Sequence, residues 1–147
     1  MRKFLLALSL ALLASCAGNK SNETIIPDFA QGYFLRNDVA VEAVPGKITS
    51  QEQLLQFFGM ATVMGENGKP TAIDFDKDFV IPVIYPVTDQ ETSVVVESIR
   101  QTGSNELTLA VSTIRGEEHR SYTIRPMELL LIDNQYRDFE IKLQLGE

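Results

Sequence analysis

The chain has 147 residues, with 13 basic and 20 acidic side chains and a formal net charge of −7. Because an acidic surface without a basic patch repels phosphate backbones, this composition excludes a nucleic-acid-binding role. One histidine and one cysteine are too few for a zinc site, and no zinc, other metal or cofactor is predicted.

The first sixteen residues have the order of an export signal. Arg2 and Lys3 precede an apolar run, Phe4 to Leu13, and small residues follow it. This order is typical of a secretory signal peptide. The run is too short for a transmembrane helix, which needs about 20 apolar residues. We therefore expect residues 1–15 to be a signal peptide.

The only cysteine, Cys16, closes the tetrapeptide Leu13-Ala14-Ser15-Cys16. This tetrapeptide resembles the lipobox of bacterial lipoproteins, in which the cysteine becomes the lipidated first residue after cleavage. The resemblance implies that Cys16 anchors the chain to a membrane. Ala17, where an aspartate would imply inner-membrane retention, favours the outer membrane, facing the periplasm. The alternative is an ordinary signal peptide that happens to contain a cysteine.

The rest of the chain is expected to form a tether and one domain. Residues 16–24 are small and polar, as a spacer between lipid and domain should be. Residues 25–147 are enough to bury one core without disulfides. Short strands are predicted in GYFLR (32–36) and VAVEAV (39–44).

One helix is predicted in ITSQEQLLQFFG (48–59). Thr49 or Ser50 can cap it, and Glu52 or Gln53 can complete a capping box. An apolar face and a terminating glycine follow. These are Leu54, Leu55, Phe57, Phe58 and Gly59.

The aspartates of IDFDKDF (73–79) have the spacing of a calcium loop. However, Phe79 and Tyr85 stand where an EF-hand needs glycine and glutamate, which excludes that motif and leaves an irregular calcium site as the alternative. We expect the apolar residues to anchor the chain and the aspartates to cap or solvate the turn. A flexible loop is predicted in MGENGKP (64–70), just before this segment.

Most of the remaining sequence predicts strands. FVIPVIYPV (79–87) is rich in β-branched and aromatic residues, and its two prolines favour an edge strand or a bulge. TSVVVESIRQ and GSNELTLAVSTI predict a hairpin around Gly103-Ser104-Asn105. After a turn at RGEE (115–118), further strands are predicted in HRSYTIRPMELLLID (119–133) and RDFEIKLQL (137–145).

The predicted fold is α+β and mainly antiparallel β. We expect a curved sheet or open barrel of about six or seven strands, with one short helix packed on it. Because successive strands are neighbours in sequence, hairpin connections are favoured over crossovers.

An edge strand can accept a partner strand through its free backbone groups. The proline-containing strand is therefore the predicted partner-binding site, at Val80, Pro82, Val83, Tyr85 and Pro86. The alternative is that the prolines only prevent unwanted pairing.

No catalytic residues are predicted. His119 is the only histidine, so any serine or cysteine hydrolase of the usual type would depend on it. It lies between acidic residues and an arginine at a predicted turn, which favours a solvated residue over a catalytic base.

From Ile48 onward, the predicted elements follow an order known from another family. A helix is followed by the Asp74-Phe75 pair, a hydrophobic strand, a hairpin and the segment Tyr122 to Pro126. This layout resembles the PrcB C-terminal domain family, named after a lipoprotein associated with an outer-membrane protease complex, and small lipoproteins of gut Bacteroidetes. The resemblance implies a non-enzymatic, lipid-anchored accessory domain of the cell envelope that binds a partner protein, with a protease as one candidate partner.

Three alternatives remain open. A protease inhibitor could insert the loop TIRGEEHR (113–120) into an active site. A small hydrolase could use His119 with scattered acids. A carrier could hold an apolar ligand inside the curved sheet, since packed and hollow barrels share the same alternation.

Overall fold

A computed structural model of the chain describes residues 23–61, 68–118 and 120–146. The predicted signal peptide, Cys16, most of the tether, residues 64–67 of the predicted flexible loop and His119 lie outside the described residues. Of the expected tether, the structure describes Glu23 and Thr24, and Thr24 already belongs to a strand. Within the described part of the chain, no helix is long and apolar enough to cross a membrane.

The elements confirm the α+β prediction, with one α-helix and mostly antiparallel strands. The strands and the α-helix are β1 (Thr24–Ile25), β2 (Asp28–Ala30), β3 (Tyr33–Leu35), α1 (Gln51–Phe57), β4 (Phe58–Met60), β5 (Asp78–Ile84), β6 (Thr92–Gly103), β7 (Glu106–Arg115), β8 (Met127–Asp133) and β9 (Glu140–Leu145). Short 3-10 helices span Val41–Ala43 and Asn134–Tyr136.

The strands of the described residues form three separate sheets, none of them closed. The outer sheet has the order β1-β6-β7-β9, and the central sheet has the order β2-β8-β5. A two-stranded ribbon pairs β3 with β4.

The central sheet is buried on both faces. On one face, Phe79, Ile81 and Val83 belong to a cluster with Leu107, Leu109 and Val111 of the outer sheet. On the other, Val80 and Leu129 cluster with Leu54 of the helix and Phe58 of the ribbon. A strand buried on both faces is apolar along its length, which explains the runs FVIPVI and LLLI.

Helix α1 begins with the expected cap. The Ser50 hydroxyl accepts from the Gln53 N–H at 3.2 Å, and the Gln53 side chain accepts from the Thr49 N–H at 2.9 Å. Leu54 is fully buried, whereas Leu55 is 38% exposed. Gly59 does not stop the helix, which passes directly into β4 at Phe58. Instead, a Cβ at Gly59 would collide with the ring of Phe34 across the ribbon.

The predicted hairpin is confirmed, with β6 and β7 joined by a turn at Ser104-Asn105. The prediction that VAVEAV forms a strand is wrong. There the chain makes a 3-10 turn in which the Ala43 N–H donates to the Ala40 carbonyl at 3.0 Å. The segment ends at Pro45-Gly46. Its residues Val39, Val41 and Val44 are partly buried against the cluster on the helix side of the central sheet.

The last strand departs from the expected meander because β9 pairs with β7 in parallel. From β8 in the central sheet, the chain crosses through the 3-10 helix Asn134–Tyr136 into the outer sheet. There the Glu140 N–H donates to the Asn105 carbonyl at 2.9 Å. Tyr136 and Phe139 hold this crossing in place, with their rings edge to face at 5.3 Å.

Candidate partner-binding site

Strand β5 is an edge strand, but its free side is partly closed. It pairs with β8 on one side, and on the other Val80 exchanges two hydrogen bonds of 2.8 Å with Ile48. Because backbone groups alternate along a strand, Pro82 also faces away from β8. Proline has no N–H to offer there, so little of the β5 edge is left for an added strand.

The five predicted binding residues separate into two groups. Val80 and Val83 are 0% and 1% exposed, so their side chains belong to the core. Pro82 and Tyr85 are partly exposed, and Pro86 is exposed. A charge at Val83 would therefore unfold the domain rather than test an interface. The accessible predicted residues are therefore Pro82, Tyr85 and Pro86. Together with the exposed Val87, which was not predicted, Tyr85 and Pro86 form the Tyr85–Val87 segment immediately after β5.

The Tyr85–Val87 segment contributes to two clefts. The first, which we call the hydroxyl cleft, has a volume of about 270 Å³. It is lined by Tyr85, Pro86, Val87, Thr88, Gln90, Thr92, Thr113, Arg115 and Pro126. These residues come from the connection between β5 and β6, from the position just before β8, and from the open end of the β6–β7 hairpin. The cleft therefore lies where the two layers part at the edge of the core.

Two buried hydroxyl oxygens of the hydroxyl cleft have no hydrogen-bond partner among the described residues: Tyr85 Oη and Thr113 Oγ1. An unpaired buried polar group costs about 1–3 kcal/mol. Burial also raises the pKa of Tyr85 above its ordinary value of 10.0, so its hydroxyl stays protonated at neutral pH and can donate a hydrogen bond. Both residues line the cleft, and the fold itself leaves their hydroxyl oxygens without a hydrogen bond.

A cation stands at the rim of the hydroxyl cleft. Arg115 is exposed and has no ion-pair partner within the ranges that the structure describes. By contrast, Arg120 is paired with Glu91 at 2.5 Å and lies over the Tyr122 ring. An unpaired guanidinium beside two free hydroxyls suits a ligand group rich in acceptor oxygens, such as a carboxylate or a peptide carbonyl.

The turn after Arg115 is held against the segment Asp89–Glu91. The Gly116 N–H donates to the Glu91 carbonyl at 2.7 Å, and the Glu91 N–H donates to the Glu117 carbonyl at 2.9 Å. The Gln90 side-chain amide donates to the Gly116 carbonyl at 3.2 Å. These bonds fix the backbone that carries Arg115, so its position at the rim is set by the fold.

The second cleft, which we call the Arg125 cleft, lies on the helix side of the same segment. It has a volume of about 380 Å³ and is lined by Val41, Glu42, Ile84, Tyr85, Pro86, Val87 and Arg125. The 3-10 helix Val41–Ala43, where a strand was expected, supplies one wall. The Tyr85–Val87 segment is thus flanked by an arginine on each side.

The sequence predicted Tyr85 and Pro86 as partner-binding residues, whereas Thr113 and Arg115 entered only as part of the alternative inhibitor loop (113–120). Thr113 continues the inward-facing row Leu107, Leu109 and Val111. A polar residue at an inward-facing position of this strand was the sequence signal that could have identified it as a site residue. No sequence signal placed Arg115 in the same cleft as Tyr85, because that proximity depends on how the two sheets pack.

The aspartate turn has the structural role expected from the sequence. The Asp74 carboxylate accepts from the Asp76 N–H at 3.1 Å and pairs with Lys77 at 3.0 Å. Phe79 is fully buried, and Ile73 and Phe75 pack against the helix-side cluster. Within the described ranges, no three histidine, cysteine, aspartate or glutamate side chains are placed to share a metal ion.

Comparison with known proteins finds no matching family model, no matching curated protein and no matching solved structure. The resemblance to the PrcB C-terminal domain family therefore stays a prediction from the sequence.

Proposed function

We propose that this chain is a non-enzymatic accessory protein of a bacterial cell envelope that binds a partner protein. Cys16 anchors it by lipid, in the outer membrane and facing the periplasm. The proposal rests on the lipobox-like sequence and the preceding signal peptide. A protease is the partner class that the family resemblance favours.

One observation supports a partner at the hydroxyl cleft: the pair of buried, unused hydroxyls at Tyr85 and Thr113. A partner that supplies acceptor oxygens recovers the free energy that the isolated domain loses there. The cleft is smaller than the roughly 300–1,000 Å³ typical of sites for drug-sized ligands. It fits one side chain or one chain end of a protein, with the exposed Pro86 and Val87 as apolar contacts beside it.

The space between the central and outer sheets bears on the carrier alternative. It is filled by side chains such as Phe79, Leu107 and Leu109, all fully buried. A carrier would therefore have to hold its ligand in an open cleft at the edge of the core rather than inside the sheet.

The test is a crosslinked pull-down from native membranes, using the full chain with a tag after Glu147. We expect one envelope protein to be recovered in stoichiometric amount. The double variant Tyr85→Phe and Thr113→Val should reduce that recovery at least about tenfold, the loss of roughly 1.4 kcal/mol of binding free energy.

The contribution of charge is tested with Arg115→Gln, and Arg100→Gln is its matched control. Both arginines are exposed on the hairpin, but only Arg115 lines the cleft. Reduced recovery with Arg115→Gln alone supports the proposal. Equal recovery with all variants would remove the cleft as the binding site, and recovery of no partner by a folded, abundant parent chain would remove the accessory function.

A protease inhibitor is the second candidate, because the loop around Arg115 is exposed and pre-organised. Its backbone is tied to Asp89–Glu91, and such rigidity lowers the entropy cost of binding. An inhibitor would slow the protease recovered in the pull-down, and Arg115→Ala would weaken that inhibition at least about tenfold. A recovered protease whose activity the chain leaves unchanged would exclude inhibition while keeping the accessory role.

A further inference from the structure

Strand β9 has one open edge. It is the last strand of the outer sheet, and among the described residues it pairs only with β7. The N–H groups of Glu140 and Gly146 donate to carbonyls of the segment that leads into β7 and of β7 itself, at 2.9 and 2.7 Å. Because backbone groups alternate along a strand, the N–H and C=O groups of Ile141, Leu143 and Leu145 face away from β7. They form an open row of donors and acceptors.

The same three residues carry an apolar row. They pair in register with Leu107, Leu109 and Val111, whose side chains are buried between the sheets, so they lie on the same inner face. Ile141 is partly buried against the core, but Leu143 is 45% exposed and Leu145 is 61% exposed. The apolar inner face of the outer sheet therefore extends beyond the core, to the exposed Leu143 and Leu145.

Strand β9 lacks the devices that usually protect an edge. Strand β5 has Pro82 and the bridge to Ile48, while β1 spans only two residues. Strand β9 runs for six residues without proline. Its one lysine, Lys142, is paired with Glu106 of β7 at 2.6 Å. That charge is therefore partly neutralised within the domain and offers little repulsion to an approaching strand.

We propose that β9 pairs antiparallel with β9 of a second copy of this chain, about a two-fold axis at Leu143. In this register Leu143 faces Leu143 of the other copy, and Ile141 faces Leu145. The six outward N–H groups of the two strands then meet six outward carbonyls, with none left over. The outer sheets join into one continuous sheet, and the interface is isologous, as in most dimers.

The sequence of β9 suits its own copy as the occupant. On the inner face, the register places only apolar residues opposite one another. On the outer face, Lys142 lies opposite Gln144 and Glu140 lies opposite Gly146, so no like charges are directly paired. An arbitrary partner strand would have to match this pattern, whereas a second copy matches it by symmetry.

The test uses cysteine placed on the proposed axis, in the full chain. Directly opposed, hydrogen-bonded residues have Cα atoms about 5.5 Å apart, within reach of a disulfide. We expect Leu143→Cys to give a covalent dimer under mild oxidation, with the 143–143 link identified by mass spectrometry. Lys142→Cys is the control, because position 142 meets its own copy only diagonally, at about 7–8 Å. The parent chain controls for Cys16.

A second variant tests the edge without a cysteine. Leu143→Pro removes one outward N–H and leaves the hydrogen bonds to β7 intact, so the domain should stay folded, with a modest loss of stability from the smaller apolar side chain, as denaturant unfolding of the variant checks. We expect it to raise the dimer dissociation constant at least about tenfold. Equal crosslinking at positions 142 and 143, or a parent chain that stays monomeric up to roughly 100 µM, overturns the proposal.

Discussion

The hydroxyl of Tyr85 costs the isolated domain free energy, because it is buried without a partner among the described residues. We expect Tyr85→Phe to raise the free energy of unfolding by about 1 kcal/mol. The control is Tyr33→Phe, since the Tyr33 hydroxyl donates to the Thr71 carbonyl at 2.7 Å. Its loss should lower stability by about 1 kcal/mol. Urea unfolding of both variants checks the opposite signs, and a destabilised Tyr85→Phe would contradict the account of the cleft.

Gly32 cannot readily be replaced, because of its backbone conformation and the close approach of Pro70. Its φ is +82°, and a Cβ there would lie 2.7 Å from the Cα of Pro70. We expect Gly32→Ala to lower the free energy of unfolding by about 2 kcal/mol or more, from left-handed strain and overpacking together. Gly46 is the matched control, because a Cβ there meets nothing within 4 Å. Gly46→Ala should stay within about 0.5 kcal/mol of the parent, and equal effects at the two glycines would contradict this reasoning.

At the scale of elements, helix α1 depends on its cap because it has only seven residues. Ser50→Ala removes the acceptor for the Gln53 N–H, so we expect a loss of about 1 kcal/mol. Ser93→Ala, at an exposed position of β6, is the control and should change stability by less than about 0.5 kcal/mol. Thermal or urea unfolding measures both. A loss at Ser93 as large as at Ser50 would show that capping is not the cause.

The elements that the sequence predicted well are those with local signals. The Ser50 cap, the Gly103-Ser104-Asn105 turn and the proline-containing edge strand each depend on residues close together in the chain. VAVEAV was wrongly predicted to be a strand. Alternation over only six residues does not distinguish a strand from a short turn whose valines each pack against the core. Val80 and Val83 were predicted as binding residues but are buried in the core. An apolar run in the sequence does not show which of its side chains are buried by the rest of the fold.

At the scale of the whole molecule, the misses come from long-range packing. Neighbouring strands were expected to form one sheet, but β8 and β9 lie in different layers, and β9 joins β7 in parallel. The hydroxyl cleft has the same origin, because Tyr85 and Thr113 approach each other only when the central and outer sheets stack. Such contacts depend on the apolar area covered by each layer, which no short window of sequence contains.

The central sheet also brings together carboxylates from distant parts of the chain. Asp28, Asp78 and Asp133 lie on β2, β5 and β8, and the strand registers place them on the same face. Burial raises the pKa of Asp78 above its ordinary value of 3.8, and the charges of Asp133, Asp28 and Asp74 raise it further. Because the folded pKa exceeds the unfolded one, the stability linked to this group is fully present below the unfolded pKa and is lost as the pH rises through the folded pKa.

Replacing Asp78 by asparagine should therefore stabilise the fold in a pH-dependent way. The amide keeps the shape of the side chain but never ionises. We expect Asp78→Asn to have a higher free energy of unfolding than the parent at about pH 7, with the difference shrinking towards about pH 4. Asp76→Asn, at an exposed position of the turn before β5, is the control and should change stability by less than about 0.5 kcal/mol at neutral pH. Urea unfolding across this pH range decides the matter: a gain that is constant with pH, or a loss at neutral pH, would mean that the ionised Asp78 does not oppose folding.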